Sequence, residues 1–181
     1  MAIIGNTLIP LIIPDKDLYL IKEGVVQSGY TFKTTAIAYS SASNASHNSK
    51  ATQQTGYIQV RSNASGATRG GSAYIGQDNL KSIIADYAYL NIKVRRVTQN
   101  NSNYYVRIGT YDYSKSGNYS SGKFCDQVTK QGGGADSSAV TLQIPITSAT
   151  TGRSIVQVAF AFTTYISYST GVDVYDVWLS K

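Results

Sequence analysis

A chain of 181 residues is the length of one domain around one core, and with a single cysteine, Cys125, it cannot be held by an intrachain disulfide. Its net charge of +6 is scattered over 16 Lys and Arg in a chain only 14% charged, which speaks against the basic stripe of a specific nucleic-acid binder. With 15 tyrosines, abundant Ser, Thr, Asn and Gly, and one glutamate, Glu23, the composition excludes a helical protein and selects half-buried sheet.

The apolar opening, residues 3–13, carries Asn6, Thr7 and Pro10 and no preceding basic residue. It falls short of the roughly 20 residues of a membrane span, so neither membrane insertion nor a signal peptide is expected. Residues 1–16 are therefore set apart as a first strand or an arm laid on a neighbouring subunit, before a single domain over residues 17–181.

Strands are predicted over residues 17–22, 30–38, 57–61 and 72–75. They continue over 90–95, where Leu90, Ile92 and Val94 alternate with Asn91, Lys93 and Arg95. After 104–113 comes 140–146, where Val140, Leu142, Ile144 and Ile146 form the apolar set and Pro145 marks an edge strand. Residues 155–165 and 172–179 complete the series. Between them, 40–54, 62–71, 114–123 and 129–138 are polar or glycine-rich and predict surface loops, with Gly132, Gly133 and Gly134 a flexible turn. No long helix is expected. The fold class is all-β: a two-sheet antiparallel β-sandwich, jelly-roll-like.

Chemistry is sparse. His47 is the only histidine and lies in a Ser/Asn-rich segment, away from any visible nucleophile, and Cys125 has no adjacent base to lower its pKa. One Cys and one His fall short of a zinc site. Asp112, Asp126, Asp173 and Asp176 are the carboxyls available to a glycoside hydrolase, but Asp173 and Asp176, three apart on a strand, are expected on opposite faces. Asp15 and Asp17 could meet Asp173 around a structural calcium ion, although no EF-hand spacing exists. No enzyme, cofactor or metal is expected.

The most informative constellation is residues 104–113. Tyr104, Val106 and Ile108 make one face, and Tyr105, Arg107, Gly109, Tyr111 and Tyr113 the other. If the strand bearing Lys93 and Arg95 lies beside it, one sheet presents an aromatic and cationic surface. The expected ligand-binding residues, for glycan or protein, are Tyr105, Arg107, Tyr111, Tyr113, Lys93 and Arg95. Tyrosine offers flat apolar faces at low entropic cost, and the cations and amides serve hydroxyls.

Three stretches, residues 17–24 (DLYLIKEG), 72–76 (SAYIG) and 86–94 (DYAYLNIKV), with the closing 174–179 (VYDVWL), resemble small sandwich modules of bacteriophage virions and Gram-positive prophages, which are similar to carbohydrate-binding jelly rolls. That resemblance implies a non-enzymatic virion protein, a capsid decoration or a tail-associated adhesion component, located in the virion after assembly in the host cytoplasm. The implied partners are other virion proteins, with cell-surface polysaccharide as a further candidate, in a homo-oligomeric or multi-copy assembly. A stand-alone carbohydrate-binding module or lectin is the alternative.

Overall fold

The structure is a computed structural model and describes residues 16–36, 49–62, 69–76, 80–98, 105–112, 124–164 and 170–181. Twelve strands and two single-turn helices are described. In chain order they are β1 (Leu18–Lys22), β2 (Val25–Val26), β3 (Thr31–Ala36), β4 (Ser49–Gln54), β5 (Tyr57–Ser62), β6 (Arg69–Gly76), α1 (Lys81–Ile84), β7 (Tyr89–Val97), β8 (Tyr105–Asp112), β9 (Phe124–Gln131), β10 (Val140–Pro145), α2 (Ser148–Thr151), β11 (Val156–Thr164) and β12 (Gly171–Ser180).

They form two sheets. A seven-stranded sheet runs β10-β7-β12-β1-β2, with β5 also on β12 and β4 on β5, and a five-stranded sheet runs β3-β6-β11-β8-β9. Every pairing is antiparallel. The chain crosses repeatedly between layers, so the two-sheet antiparallel sandwich of jelly-roll type expected from composition is the observed architecture.

Period-two alternation builds the core. Leu90, Ile92 and Val94 of β7 and Val172, Val174, Val177 and Leu179 of β12 point inward from one sheet. Val106 and Ile108 of β8 and Val156, Val158, Phe160 and Phe162 of β11 point inward from the other, and all are essentially solvent-free. Burying a side chain of this size stabilises the fold by about 1.5–3 kcal/mol before entropy is charged against it. α1 has no capping side chain, and is held by Leu80 and Ile84, four apart on one buried face, and by the Leu80 N–H donating to the Val156 carbonyl at 3.0 Å.

One irregularity shapes the seven-stranded sheet. β12 carries a bulge between Val174 and Asp176, so its far edge is shared: residues 171–174 pair with β5 and residues 177–179 with β1. The β1–β2 turn lodges at this break. The Gly24 N–H donates to the Tyr175 carbonyl at 2.7 Å and the Glu23 N–H to Asp176 Oδ1 at 2.7 Å. Gly24 has φ +74°, and a Cβ there would stand 2.4 Å from the Tyr57 backbone nitrogen, so only glycine fits.

Several expectations are corrected. β4 lies where residues 40–54 were expected to be loop, because its polar sequence gives no apolar alternation; it is an outer strand joined to β5 by the two-residue turn Thr55-Gly56. β9 reaches into the expected loop 129–138, and β6 begins inside the expected loop 62–71. Gly132, Gly133 and Gly134 do form a turn, all at positive φ, but it is pinned by Thr98 Oγ1 donating to the carbonyls of Gly132 and Gly134. Pro145 stands on β10, the edge strand beyond β7, as expected. Residues 1–15, His47, Tyr104, Tyr113 and the expected loop 114–123 lie outside the described residues.

Candidate functional site

β7 and β8 are consecutive in sequence but belong to different sheets, so Lys93 and Arg95 do not share a surface with Tyr105, Arg107 and Tyr111. The single Tyr/Arg sheet face expected from the sequence is replaced by two separate outer faces, one on each side of the sandwich.

On the five-stranded sheet the outer residues of β8 pack on one another. Tyr111 is 3% exposed and meets Phe124 edge-on, with ring centroids 5.4 Å apart, in a small apolar cluster completed by Ala159 and Ala161. The Arg107 guanidinium lies over the rings of Tyr105, at 4.8 Å, and Phe124, at 5.7 Å. Tyr111 is thus a packing residue, and Arg107 is engaged by neighbouring rings.

The outer face of the seven-stranded sheet is arranged differently. Trp178 sits opposite Tyr19 across the β1–β12 pair, and their rings stack at 5.8 Å with 18° between planes. Three residues back along β12, Tyr175 meets Tyr57 of β5 at 5.2 Å. All four rings are half-buried. A strand rise of about 3.3 Å per residue separates the two aromatic pairs by about 10 Å, a span that a short oligosaccharide covers. Lys22 stands over the Tyr19 ring at 5.3 Å and Lys93 over the Tyr175 ring at 5.9 Å. Beside them, Asn91 donates to Ser180 Oγ at 2.8 Å and accepts from exposed Gln143 at 3.2 Å.

Asp173 anchors the other half of this face. Its carboxylate is fully buried and held between two guanidiniums: Arg61 Nη2 reaches Oδ1 at 2.6 Å, and Arg95 reaches Oδ2 through Nη2 at 2.6 Å and Nε at 2.8 Å. A buried carboxylate needs such pairing, since desolvating it alone costs several kcal/mol. Arg61 is fixed further by Nη1 donating to the carbonyls of Val60 and Val172, each at 2.9 Å. The hydrogen bond to Asp173 and its charge hold the Arg95 guanidinium above its ordinary pKa against desolvation.

The bulge at Tyr175 shifts side-chain parity, so Asp173 and Asp176 share the outer face: Val174 and Val177 both point inward, and Asp176 lies opposite Lys93 as Asp173 lies opposite Arg95. This corrects the expectation of opposite faces. They are still no hydrolytic pair, because Asp173 is enclosed by arginines and Asp176 Oδ1 accepts the Glu23 N–H. The same enclosure withholds Asp173 from a calcium ion, and Asp15 lies outside the described residues.

The remaining candidates are structural. Asp126 accepts hydrogen bonds from the Thr147 N–H and hydroxyl and from the Thr150 hydroxyl, and Thr147 in turn caps α2 by accepting from the Ala149 N–H. Asp112 is buried with Arg153 Nη1 at 3.6 Å. Burial pushes the half-buried Cys125 thiol up, against the opposing pull of Arg153, which keeps it from the thiolate form a nucleophile needs. Among the described residues no three His, Cys, Asp or Glu stand together as a metal site, and no helix is long and apolar enough to cross a membrane.

Sequence reasoning thus placed Lys93 and Arg95 on this face and missed Tyr19, Tyr57, Tyr175, Trp178 and Arg61. Tyr19 and Trp178 occupy the polar parity of apolar strands, which was a readable signal. That β12 would bring all four rings together was not.

No family model matches the chain, and no curated protein matches it. Among solved structures it is similar to a family 11 carbohydrate-binding module from Clostridium thermocellum in complex with a β-1,3-1,4-mixed-linked tetrasaccharide, at 12% identity and a TM-score of 0.47, covering 91% of this chain and 95% of that one. It is also similar to the family 11 module of the cellulosomal cellulase Lic26A-Cel5E of Clostridium thermocellum, at 12% identity and a TM-score of 0.40, covering 91% and 94%.

Proposed function

We propose that the chain is a non-catalytic carbohydrate-binding module that takes a glycan on the outer face of its seven-stranded sheet. The observation that carries this reading is the aromatic row on and beside β12: Tyr19 with Trp178 and, about 10 Å along the strand, Tyr57 with Tyr175. Half-buried rings fixed by mutual stacking offer C–H-binding surface without ordering cost on binding, and Gln143, Thr141, Lys93 and Arg95 beside them supply hydrogen-bond partners for hydroxyls.

A bacteriophage virion setting draws its support from the sequence resemblance alone, and no feature of the described residues favours it over a free-standing module. Multi-copy display would raise avidity by about 10² to 10⁴ in either setting.

The test is isothermal titration with a panel of plant and bacterial polysaccharides against the wild type and Trp178→Ala and Tyr175→Ala, each variant checked for a cooperative thermal transition. Each substitution is expected to weaken binding about tenfold, equivalent to about 1.4 kcal/mol. Saturable binding unchanged in both folded variants would remove this face from consideration, and absence of binding across the panel would end the glycan reading.

A further inference from the structure

We infer that the glycan recognised by this face is acidic, an extended polysaccharide whose sugars carry carboxylates, read by Lys93 and Arg95 on either side of Tyr175. The inference rests on the glycan-binding reading and adds the ligand's charge to it.

Cations are in excess on the face. Lys22, Lys50, Arg61, Lys93 and Arg95 outnumber Asp173, Asp176 and the exposed Glu23 of the adjoining turn. Lys50 belongs here because it lies directly opposite Arg61 in the β4–β5 pair, and opposed residues share a face. The carboxylates are also withdrawn: Asp173 has no exposed surface, and Asp176 is 18% exposed with one oxygen committed to the Glu23 N–H. What a ligand meets is therefore cationic.

The two cations beside Tyr175 are presented in different ways. Arg95 is 37% exposed, and its Nε and Nη2 are tied to Asp173, while among the described residues its Nη1 has no protein partner. A guanidinium clamped from one side is a preorganised donor on the other, suited to a carboxylate. Lys93 is 48% exposed and only loosely paired, its Nζ standing 4.0 Å from Asp176 Oδ2. Both lie on the outer face of β7, two residues and so about 7 Å apart. Their cross-strand partners, Asp173 and Asp176, flank Tyr175 on β12. A carboxylate held at Lys93 or Arg95 keeps its own sugar ring over Tyr175 and Tyr57.

The measurement is titration with polygalacturonate, with its carboxyl-reduced neutral counterpart, and with poly(glycerol phosphate), at low and high salt. Polygalacturonate is expected to bind, its reduced form to bind at least tenfold more weakly, and affinity to fall as salt screens the contacts. Lys93→Met, which removes the ammonium over Tyr175 and keeps an unbranched side chain, is expected to lower affinity for polygalacturonate several-fold at low salt and leave the melting temperature in place. Arg95→Lys, which keeps a cation beside Asp173 but removes the fork, should also lower that affinity several-fold, at some cost in stability because Asp173 loses one of its two bonds from Arg95.

Equal binding of the neutral polymer would overturn the acidic assignment and leave the glycan reading standing. Binding of poly(glycerol phosphate) with polygalacturonate silent would overturn the carboxylate assignment. Silence of all three, together with a silent wider polysaccharide panel, would overturn both readings.

Discussion

On the five-stranded sheet, Arg107 lies over Tyr105 and Phe124, and Tyr111 packs into an apolar cluster. On the seven-stranded sheet, arginines close on a carboxylate, and the rings stand in half-buried pairs. Residue types are nearly the same on both faces, and the difference lies in what satisfies the cation. Where rings take the guanidinium, the aromatics are used up as packing. Where Asp173 takes it, the rings remain at the surface with donors beside them. A Tyr/Arg strand therefore says little about binding until the counter-ion is located.

Two substitutions sharpen that contrast, and a third tests an ion pair away from both faces. The largest effect is expected for Tyr111→Ala, which empties a buried aromatic site and should lower stability by about 3 kcal/mol in urea denaturation while leaving polysaccharide affinity unchanged. A loss of affinity at full stability would reverse the assignment of the two faces. Next, Asp173→Asn leaves Arg61 and Arg95 without their counter-charge. It should cost about 2–3 kcal/mol, less than a fully enclosed pair because Arg95 is partly exposed. If stability is unchanged, the carboxylate is not what organises this face.

The smallest effect concerns neither face. Asp136 accepts from the Arg96 backbone and guanidinium and from Lys130, and although burial opposes ionisation, these bonds hold its carboxyl below the ordinary 3.8. A lowered folded-state pKa gives stabilisation that is fully present above 3.8 and lost as pH falls through the lower folded value. The wild type should exceed Asp136→Asn in stability at neutral pH, and the gap should close in acid. A pH-independent gap would mean that the ion pairs contribute nothing.

Much of the fold was legible, because β7 and β10 alternate apolar and polar residues strictly enough to fix their inward faces and β11 and β12 are rich in β-branched and aromatic residues. β4 was not, since SKATQQ on an outer strand has no apolar set to display. The candidate site was half legible. Lys93 and Arg95 were placed on an outer face correctly, but their supposed neighbour β8 crosses to the other layer, a non-local choice that alternation does not encode. The bulge at Tyr175 was equally hidden. It adds one residue, inverts parity beyond it, and brings Asp173, Tyr175, Asp176 and Trp178 to one surface.

The strands at the centre of the two sheets, β11 and β12, come after all the others in chain order. During synthesis β6 and β8 wait for β11 to lie between them, and β7, β1 and β5 wait for β12. The five-stranded sheet closes around its middle only once β11 has emerged and the seven-stranded sheet only once β12 has, so both depend on contacts distant in sequence and folding is slow for the chain's size. Until then a set of unpaired edges stands open to neighbouring chains, and the yield of native protein becomes a race between the arrival of these two strands and aggregation.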